Sequence, residues 1–208
     1  MNARRVIPAV LLVPLLMSCR EEAPLTGPPD PIVLEEATVE ASSVAFDHFV
    51  ADASVHEWTN SYLLALLSHY MYKSTIGVTE DDAFLAGFGE RLGPLRLHTF
   101  RLVHHPLSHT QAVVAENDDA LLIAFRGTEA DDPTLVFDLY VDLAGTLING
   151  IHDGFQASSR RVLDLIVAQI EAAPGKKVWI TGHSLGGAVA TVTAHLLATE
   201  KAINVQGV

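Results

Sequence analysis

One glycine-rich segment, residues 182–187 with the sequence G-H-S-L-G-G, constrains the fold of this chain more than any other feature. It places Ser184 directly after a strand-like run, 177–181, and before a helix-like run, 188–198, that is rich in alanine and leucine. Glycine at positions 182 and 186 would let the strand and the helix approach closely. The spacing matches neither a P-loop nor the dinucleotide-binding fingerprint. The segment therefore predicts a nucleophile elbow with Ser184 at its tip.

The predicted elbow also supplies a hydrogen-bond donor. Ser184 would sit at the N-terminal end of the following helix, where the backbone N–H of Leu185 can donate to an oxyanion that forms on an attacked ester carbonyl. A second glycine turn, A-F-R-G-T-E at residues 124–129, ends an apolar strand. This turn stands where a second oxyanion donor is needed.

The N-terminal residues have the pattern of an export signal. Arg4 and Arg5 precede an apolar stretch, 6–17, whose about 12 residues are too few to span a bilayer core as a helix. The stretch ends in L-M-S-C, which resembles the lipobox of bacterial lipoproteins, although Met17 departs from the usual residue there. Cys19 is the only cysteine, so no intramolecular disulfide can form.

We therefore predict a lipoprotein-type signal peptide at 1–18, lipid attachment at Cys19, and an exported protein anchored in the outer membrane or at the cell surface. An ordinary cleaved signal and an uncleaved anchor are the alternatives. Residues 19–45 carry four prolines and several glutamates, which predicts an extended tether. Residues 46–208 then form one folded domain.

The charge of the chain excludes some partners. The formal net charge is −12 and moves to −14 when residues 1–18 are removed with their two arginines. This acidic balance argues against nucleic acid and against electrostatic adhesion to anionic lipid. Membrane association is thus expected from the lipid anchor or from apolar surface.

The elements before the elbow predict an α/β domain. A first helix carries a stripe that we expect in the core, with a cofactor or partner groove as the alternative; its members are Trp58, Tyr62, Leu63, Leu66, Leu67, Tyr70 and Met71. A second helix, 81–91, precedes strands at 95–103, 110–116 and 120–125. A helix over 155–172 leads to the elbow strand, which is the β-α-β order of a parallel sheet. His104, His105 and His109 suggest a metal site, but an exposed loop or strand end explains them better, and we expect no metal or cofactor.

Three motifs in order, F-R-G-T at 125–128, H-x-G-F at 152–155 and G-H-S-L-G-G at 182–187, resemble the class 3 (fungal-type) lipase family. The resemblance covers about residues 46–208. It implies an α/β-hydrolase with a mostly parallel central sheet flanked by helices, whose C-terminal part is missing here. It also implies hydrolysis of lipid or other carboxylic esters through an acyl-enzyme.

The resemblance implies roles for individual residues. Ser184 corresponds to the nucleophile, Thr128 to the oxyanion residue through its backbone N–H and its hydroxyl, and Leu185 to the second backbone donor. Arg126 is expected to brace the turn, and the ring of His183 to point away from Ser184. A lid follows the oxyanion turn in this family, and residues 135–142 are the candidate for it here; a partly buried connecting helix is the alternative.

The catalytic triad is incomplete in this sequence. After Ser184 the chain contains one histidine, His195, and one acid, Glu200. His195 would lie about 16 Å along the same helix, beyond hydrogen-bond reach of Ser184. In the family the acid and the histidine lie on later segments, so we expect a fragment of a longer enzyme whose base and acid follow Val208. The alternative is a catalytically inactive surface lipoprotein that binds an acyl chain or a partner.

Overall fold

A central sheet with helices on both faces positions every candidate residue that the computed structural model describes. The described residues are 46–73, 77, 81–105, 110–128, 145–148 and 150–208, and they lie in one unit, Val39–Val208. The predicted signal peptide, Cys19, the 19–45 tether, His109 and the 135–142 lid lie outside the described residues.

The elements follow each other in an α/β order. The helices are α1 (Trp58–His69), α2 (Asp81–Leu92), α3 (Asp153–Glu171) and α4 (Leu185–Glu200). The strands are β1 (His98–His105), β2 (Thr110–Glu116), β3 (Ala120–Phe125), β4 (Leu147–Ile148), β5 (Ile151–His152), β6 (Lys177–Gly182) and β7 (Val205–Gly207). Two 3-10 turns, Phe46–His48 and Gly93–Leu95, precede α1 and β1.

The main sheet has the strand order β1-β2-β3-β6-β7, and β4 and β5 form a separate hairpin. β2 pairs antiparallel with β1 and β3, whereas β6 pairs parallel with β3 and β7. Among the described strands of this sheet, β2 alone therefore runs against the others. This topology confirms the predicted α/β-hydrolase fold with a mostly parallel sheet flanked by helices.

The first predicted strand is shifted along the chain. The apolar pattern predicts a strand over 95–103, but β1 begins at His98. Gly93–Leu95 forms a 3-10 turn instead, and Arg96 follows it in the left-handed region with φ 69°. Pro94 favours such a turn because its φ is already restricted.

β3 is the centre of the core because all six of its residues are buried. Its side chains alternate between two apolar clusters. Leu122 and Ala124 face a cluster that includes α1 and α2, and Leu121 and Ile123 face a cluster that includes α3 and α4. This alternation follows the two-residue period of a strand and explains why β3 is apolar throughout.

The predicted core stripe of α1 is correct for its central residues and wrong for two aromatics. Leu63, Leu67 and Met71 are fully buried, but Trp58 is 82% exposed and Tyr62 is 54% exposed. At 100° per residue, Trp58 and Tyr62 lie on the face opposite the buried leucines. Their apolar character extends the apparent stripe beyond the face that packs on the sheet.

A buried ion cluster joins three segments at the amino end of β3. Glu116 is buried at the end of β2 and contacts Arg101 of β1 at 2.6 Å and Lys176, just before β6, at 3.0 Å. Burial alone would raise the pKa of the Glu116 carboxyl, but the hydrogen bonds from Lys176 and Arg101 outweigh it and hold the pKa below its usual range. The charged carboxylate therefore stabilises the fold.

Glu116→Gln is expected to lower the free energy of unfolding by about 1–3 kcal/mol at pH 7, because it leaves two cations without their carboxylate. The contribution of Glu116 is fully present above the unfolded-state pKa of about 4.3 and is lost as the pH falls through the lower folded-state pKa. Urea unfolding at several pH values from 7 to about 2 should show the gap between the two proteins narrowing. Asp118→Asn, in the exposed adjacent turn, is the control; an equal loss there would contradict a specific role for Glu116.

Candidate active site

Ser184 lies at a strained turn between β6 and α4. Its φ of 56° and ψ of −125° lie outside the regions that non-glycine residues usually adopt. Backbone hydrogen bonds close the turn, because the N–H of Gly186 donates to His183 O and the N–H of Gly187 donates to Ser184 O, both at 3.0 Å. Ser184 is exposed beyond the carboxyl end of the strand. The predicted strand, sharp turn and helix are all present.

The two glycines of the elbow are required by close backbone approach, as the sequence predicts. A Cβ at Gly182 would overlap the backbone of Gly186. A Cβ at Gly186 would lie 2.5 Å from the carbonyl oxygen of Phe125. The first residues of α4 therefore lie against the ends of both β6 and β3.

The turn after β3 lies directly beside the elbow. Phe125 and Gly182 are register partners at the ends of parallel strands, so the residues that follow them meet at one edge of the sheet. A Cβ at Gly127 would lie 2.5 Å from His183 O. The structure thus brings together the two turns that carry the candidate oxyanion donors.

Both candidate donors have unused hydrogen-bonding capacity. Leu185 is the first residue of α4, where backbone N–H groups have no intrahelical carbonyl partner. The side-chain oxygen of Thr128 is buried and has no hydrogen-bond partner among the described residues. A buried hydroxyl without a partner is costly, and such a group at a candidate oxyanion site is suited to receive a ligand atom.

Arg126 braces its turn against β2 and the segment just after α1, as predicted. Its Nε donates to the carbonyl of Met71 at 2.7 Å, and its Nη1 donates to the side chain of Gln111. The guanidinium also lies over the Phe84 ring, 4.3 Å from the ring centre. These contacts of the Arg126 side chain therefore fix the position of the turn.

His183 contacts the segment just after α1. Its Nδ1 lies 2.8 Å from the hydroxyl of Tyr72, and the two rings meet edge to face with centres 5.8 Å apart. This contact agrees with the prediction that the ring points away from Ser184. Sequence reasoning missed Tyr72, and a separation of 111 positions between the partners leaves no local pattern that could reveal the pair.

A cleft of about 470 Å³ opens beside the elbow, between α1 and the carboxyl end of β6. Its walls include Leu64, Ser68 and His69 of α1 and residues 181–183. Ser184 does not line it. The cleft therefore adjoins the His183 side of the turn and does not lie over Ser184.

The H-x-G-F motif forms the junction between the β4–β5 hairpin and α3. Asp153 opens α3 and accepts hydrogen bonds from the Thr146 hydroxyl at 3.0 Å and from the N–H of Gly154 at 2.8 Å. The bond from the Thr146 hydroxyl, the backbone bonds and the nearby His152 lower the pKa of the Asp153 carboxyl. The ring of His152 stacks on Phe155 with centres 4.5 Å apart. These contacts give the motif a structural role at the start of α3.

Neither His195 nor Glu200 completes a triad. Both lie on α4, so the helical rise places His195 about 16 Å from Ser184, as the sequence predicts. The Glu200 carboxylate is held by two hydrogen bonds from Arg160 at 2.6 and 2.9 Å. Neither of these two residues therefore serves as the base or the acid for Ser184.

The described residues contain no group of three or more metal-ligating side chains. His104 and His105 lie in β1, where they are register partners of Gln111 and Thr110. No helix within the described ranges is long and apolar enough to cross a membrane.

Comparisons with known proteins find lipases. The family model described as lipase (class 3) matches residues 122–206. A curated lipase of Rhizomucor miehei is 33% identical over 93 residues, which are 41% of this chain and 26% of that protein. The chain therefore spans about a quarter of that relative's length.

Solved structures give similar matches. The Rhizomucor miehei lipase propeptide complex is 26% identical, with a TM-score of 0.47 over 69% of this chain and 47% of that one. A lipase from Rhizopus microsporus var. chinensis is 22% identical, with a TM-score of 0.46 over 68% of this chain and 50% of that one. A structure titled as a triacylglycerol lipase with a serine protease triad is 26% identical, with a TM-score of 0.46 over 68% of this chain and 54% of that one.

The family match begins in β3 and ends in β7, so it contains the turn after β3, the H-x-G-F junction and the whole elbow. Over residues 122–206, and in the motifs that this region contains, the chain is therefore similar to the class 3 lipase family.

Proposed function

We propose that this chain carries the nucleophile and the oxyanion donors of a serine carboxylic ester hydrolase that acts on lipid or other esters. The observation that carries the proposal is the strained, exposed Ser184 at the elbow, next to the turn that bears Thr128. Triacylglycerol lipase activity and a serine protease-type triad are named for one structural relative, and they support the same reaction class here.

In the proposed reaction the Ser184 hydroxyl attacks the ester carbonyl carbon and gives its proton to a histidine base. The negative charge that develops on the carbonyl oxygen is received by the N–H groups of Leu185 and Thr128 and by the Thr128 hydroxyl. Collapse of this intermediate expels the alcohol and leaves an acyl-enzyme on Ser184, which water then hydrolyses.

The arrangement suits this chemistry because its donors are held in place before substrate binds. Arg126 fixes the turn that bears Thr128 through contacts with β2 and with Met71 just after α1, and the glycine contacts fix the elbow against it. Preorganised donors stabilise the developing charge without having to reorganise during the reaction.

A second candidate function is binding of an acyl chain or a partner without catalysis. The cleft of about 470 Å³ beside the elbow favours it, as does the position of His195 far along α4. Reaction with a fluorophosphonate separates the two functions, because that reagent labels an activated serine.

We also propose that lipidated Cys19 anchors the exported protein to a membrane. The proposal rests on the L-M-S-C sequence at residues 16–19 and on Cys19 being the only cysteine of the chain. Two or more acyl chains would give a stable anchor, whereas one chain gives marginal binding.

Ser184→Ala is expected to abolish ester hydrolysis, with a loss of about 10³-fold or more in kcat, because the acyl-enzyme cannot form. Turnover of a p-nitrophenyl ester and stoichiometric fluorophosphonate labelling, measured on the protein as cells produce it, provide the test. Ser54→Ala, at an exposed position before α1, is the matched control. Undiminished turnover in Ser184→Ala would refute the nucleophile assignment, and a native protein that resists labelling would favour the binding function.

Thr128→Val is expected to lower kcat by about 10²–10³-fold with little change in KM, because it removes a donor that acts on charge formed in the transition state. Thr128→Ser keeps the hydroxyl and should restore most of the rate. Steady-state kinetics of both variants provide the measurement. Equal rates for the valine and native proteins would show that the backbone N–H groups suffice.

Radiolabelled palmitate is expected to be incorporated into the native protein and not into Cys19→Ser, because the thiol is the proposed attachment site. Cell fractionation should then find the native protein with the membrane and the variant released from it. Absence of label from the native protein would remove the proposed anchor.

A further inference from the structure

An exposed apolar surface lies at the N-terminal end of α1, formed by Val55, Trp58 and Tyr62, and we name these three residues the α1 patch. Their exposed fractions are 72%, 82% and 54%. A spacing of four residues places Trp58 and Tyr62 on neighbouring positions of one helix face, and Val55 lies in the segment just before α1. Trp58 and Tyr62 lie opposite the buried leucines of the helix, so packing on the sheet does not account for them.

The backbone beneath the α1 patch is held firmly. Asn60 binds the backbone of Val50 through two hydrogen bonds of 2.9 Å, which fix the preceding segment along α1. The ring of His56 meets Trp58 edge to face with centres 4.6 Å apart, and its Nε2 lies 2.9 Å from the Ser61 hydroxyl. The indole is thus presented to solvent from an ordered support.

The chemistry of the α1 patch fits the boundary between the acyl chains and the headgroups of a bilayer. Trp and Tyr each combine an apolar ring with a polar tip, and such residues concentrate at this depth in membranes. Residues 50–62 contain Asp52 and Glu57 and neither lysine nor arginine. These carboxylates complement the outward-facing ammonium group of a zwitterionic phospholipid and oppose an anionic surface.

We propose that the α1 patch docks on a zwitterionic phospholipid surface. A second copy of this chain is disfavoured as the occupant, because it would bring the same carboxylates and a formal net charge of −12 to the contact. The ammonium groups of a zwitterionic phospholipid lie at the outside of the bilayer, where they can attract the carboxylates of Asp52 and Glu57. The same surface on a second copy carries no lysine or arginine and offers no such attraction.

Docking through this end of α1 would also hold the elbow near the lipid. The helix has 12 residues, and those that line the cleft beside residues 181–183 lie between Ser61 and His69. At 1.5 Å per residue, they lie about 5 to 17 Å along the helix axis from Trp58. The docking itself is independent of the proposed hydrolysis, because it can be measured without turnover.

The two tryptophans of the chain make the test specific. Trp179 is 7% exposed and its indole N–H donates to Ala51 O at 2.8 Å, so it reports on the folded core. Trp58 reports on the α1 patch. The full chain with Cys19→Ser, which excludes an attached lipid, is mixed with phosphatidylcholine vesicles whose acyl chains carry bromine, and the emission of Trp58→Phe is subtracted.

Trp58 emission is expected to shift to shorter wavelength and to be quenched by the brominated chains, while Trp179 emission stays unchanged. The double variant Trp58→Ala, Tyr62→Ala should reduce partition into vesicles at least about tenfold, because much of the apolar area that would enter the bilayer is removed. Leu165→Ala, which removes a 47% exposed leucine from α3, is the matched control and should bind like the parent.

Three results would overturn the proposal. Vesicle binding without quenching of Trp58 would place the contact elsewhere on the chain. Trp58 emission that is already protected from acrylamide in the free protein would show that the α1 patch is covered within the chain. A dimer that is lost in the double variant, in a protein that does not bind vesicles, would identify a second copy as the occupant.

Discussion

The close approach of three backbone segments at the carboxyl end of β3 and β6 is the constraint on which the candidate site depends. Gly127, Gly182 and Gly186 stand where a Cβ would enter the backbone of a neighbouring turn. This approach requires β3 and β6 to be adjacent and parallel, because only then do the turns that follow the two strands lie at the same edge of the sheet. The sheet order and the geometry around Ser184 are therefore consequences of the same contact.

The two apolar clusters on either side of the sheet hold that approach in place. Ile180 of β6 and Val189 of α4 belong to one cluster, and Trp179 belongs to the other. A non-glycine residue in the conformation of Ser184 costs about 1–3 kcal/mol, which persists only where the surrounding structure determines the backbone. Packing on both faces of β6, together with hydrogen bonds within the turn, supplies that support.

Elements that are specified by a contiguous run of a few residues could be predicted from the sequence. The elbow is recognisable because its glycines, Ser184 and flanking runs are contiguous, and β3 because six successive residues are apolar or aromatic. The prediction that the whole α1 stripe lies in the core is wrong for two residues, because hydropathy does not distinguish an aromatic side chain packed in the core from one that is exposed. Trp58 and Tyr62 lie on the outer face, although Leu63 and Leu67 beside them in the sequence are buried.

Contacts that tie α1 to the site could not be read from the sequence, because they depend on the tertiary arrangement. Arg126 reaches Met71 across 55 residues, and Tyr72 reaches His183 across 111. Neither pair has a spacing that local periodicity would detect. They become neighbours because β3 and β6 bring their turns together under the C-terminal end of α1.

This position gives α1 two different surfaces along its length. Met71 and Tyr72, just after its C-terminal end, contact both turns of the candidate site, and its N-terminal end presents Trp58 and Tyr62 to solvent. A rigid helix transmits the orientation of one end to the other, because its backbone hydrogen bonds resist bending over three turns. The orientation of the elbow relative to anything that binds the α1 patch therefore depends on α1 and on the segment just after it, which contacts both turns.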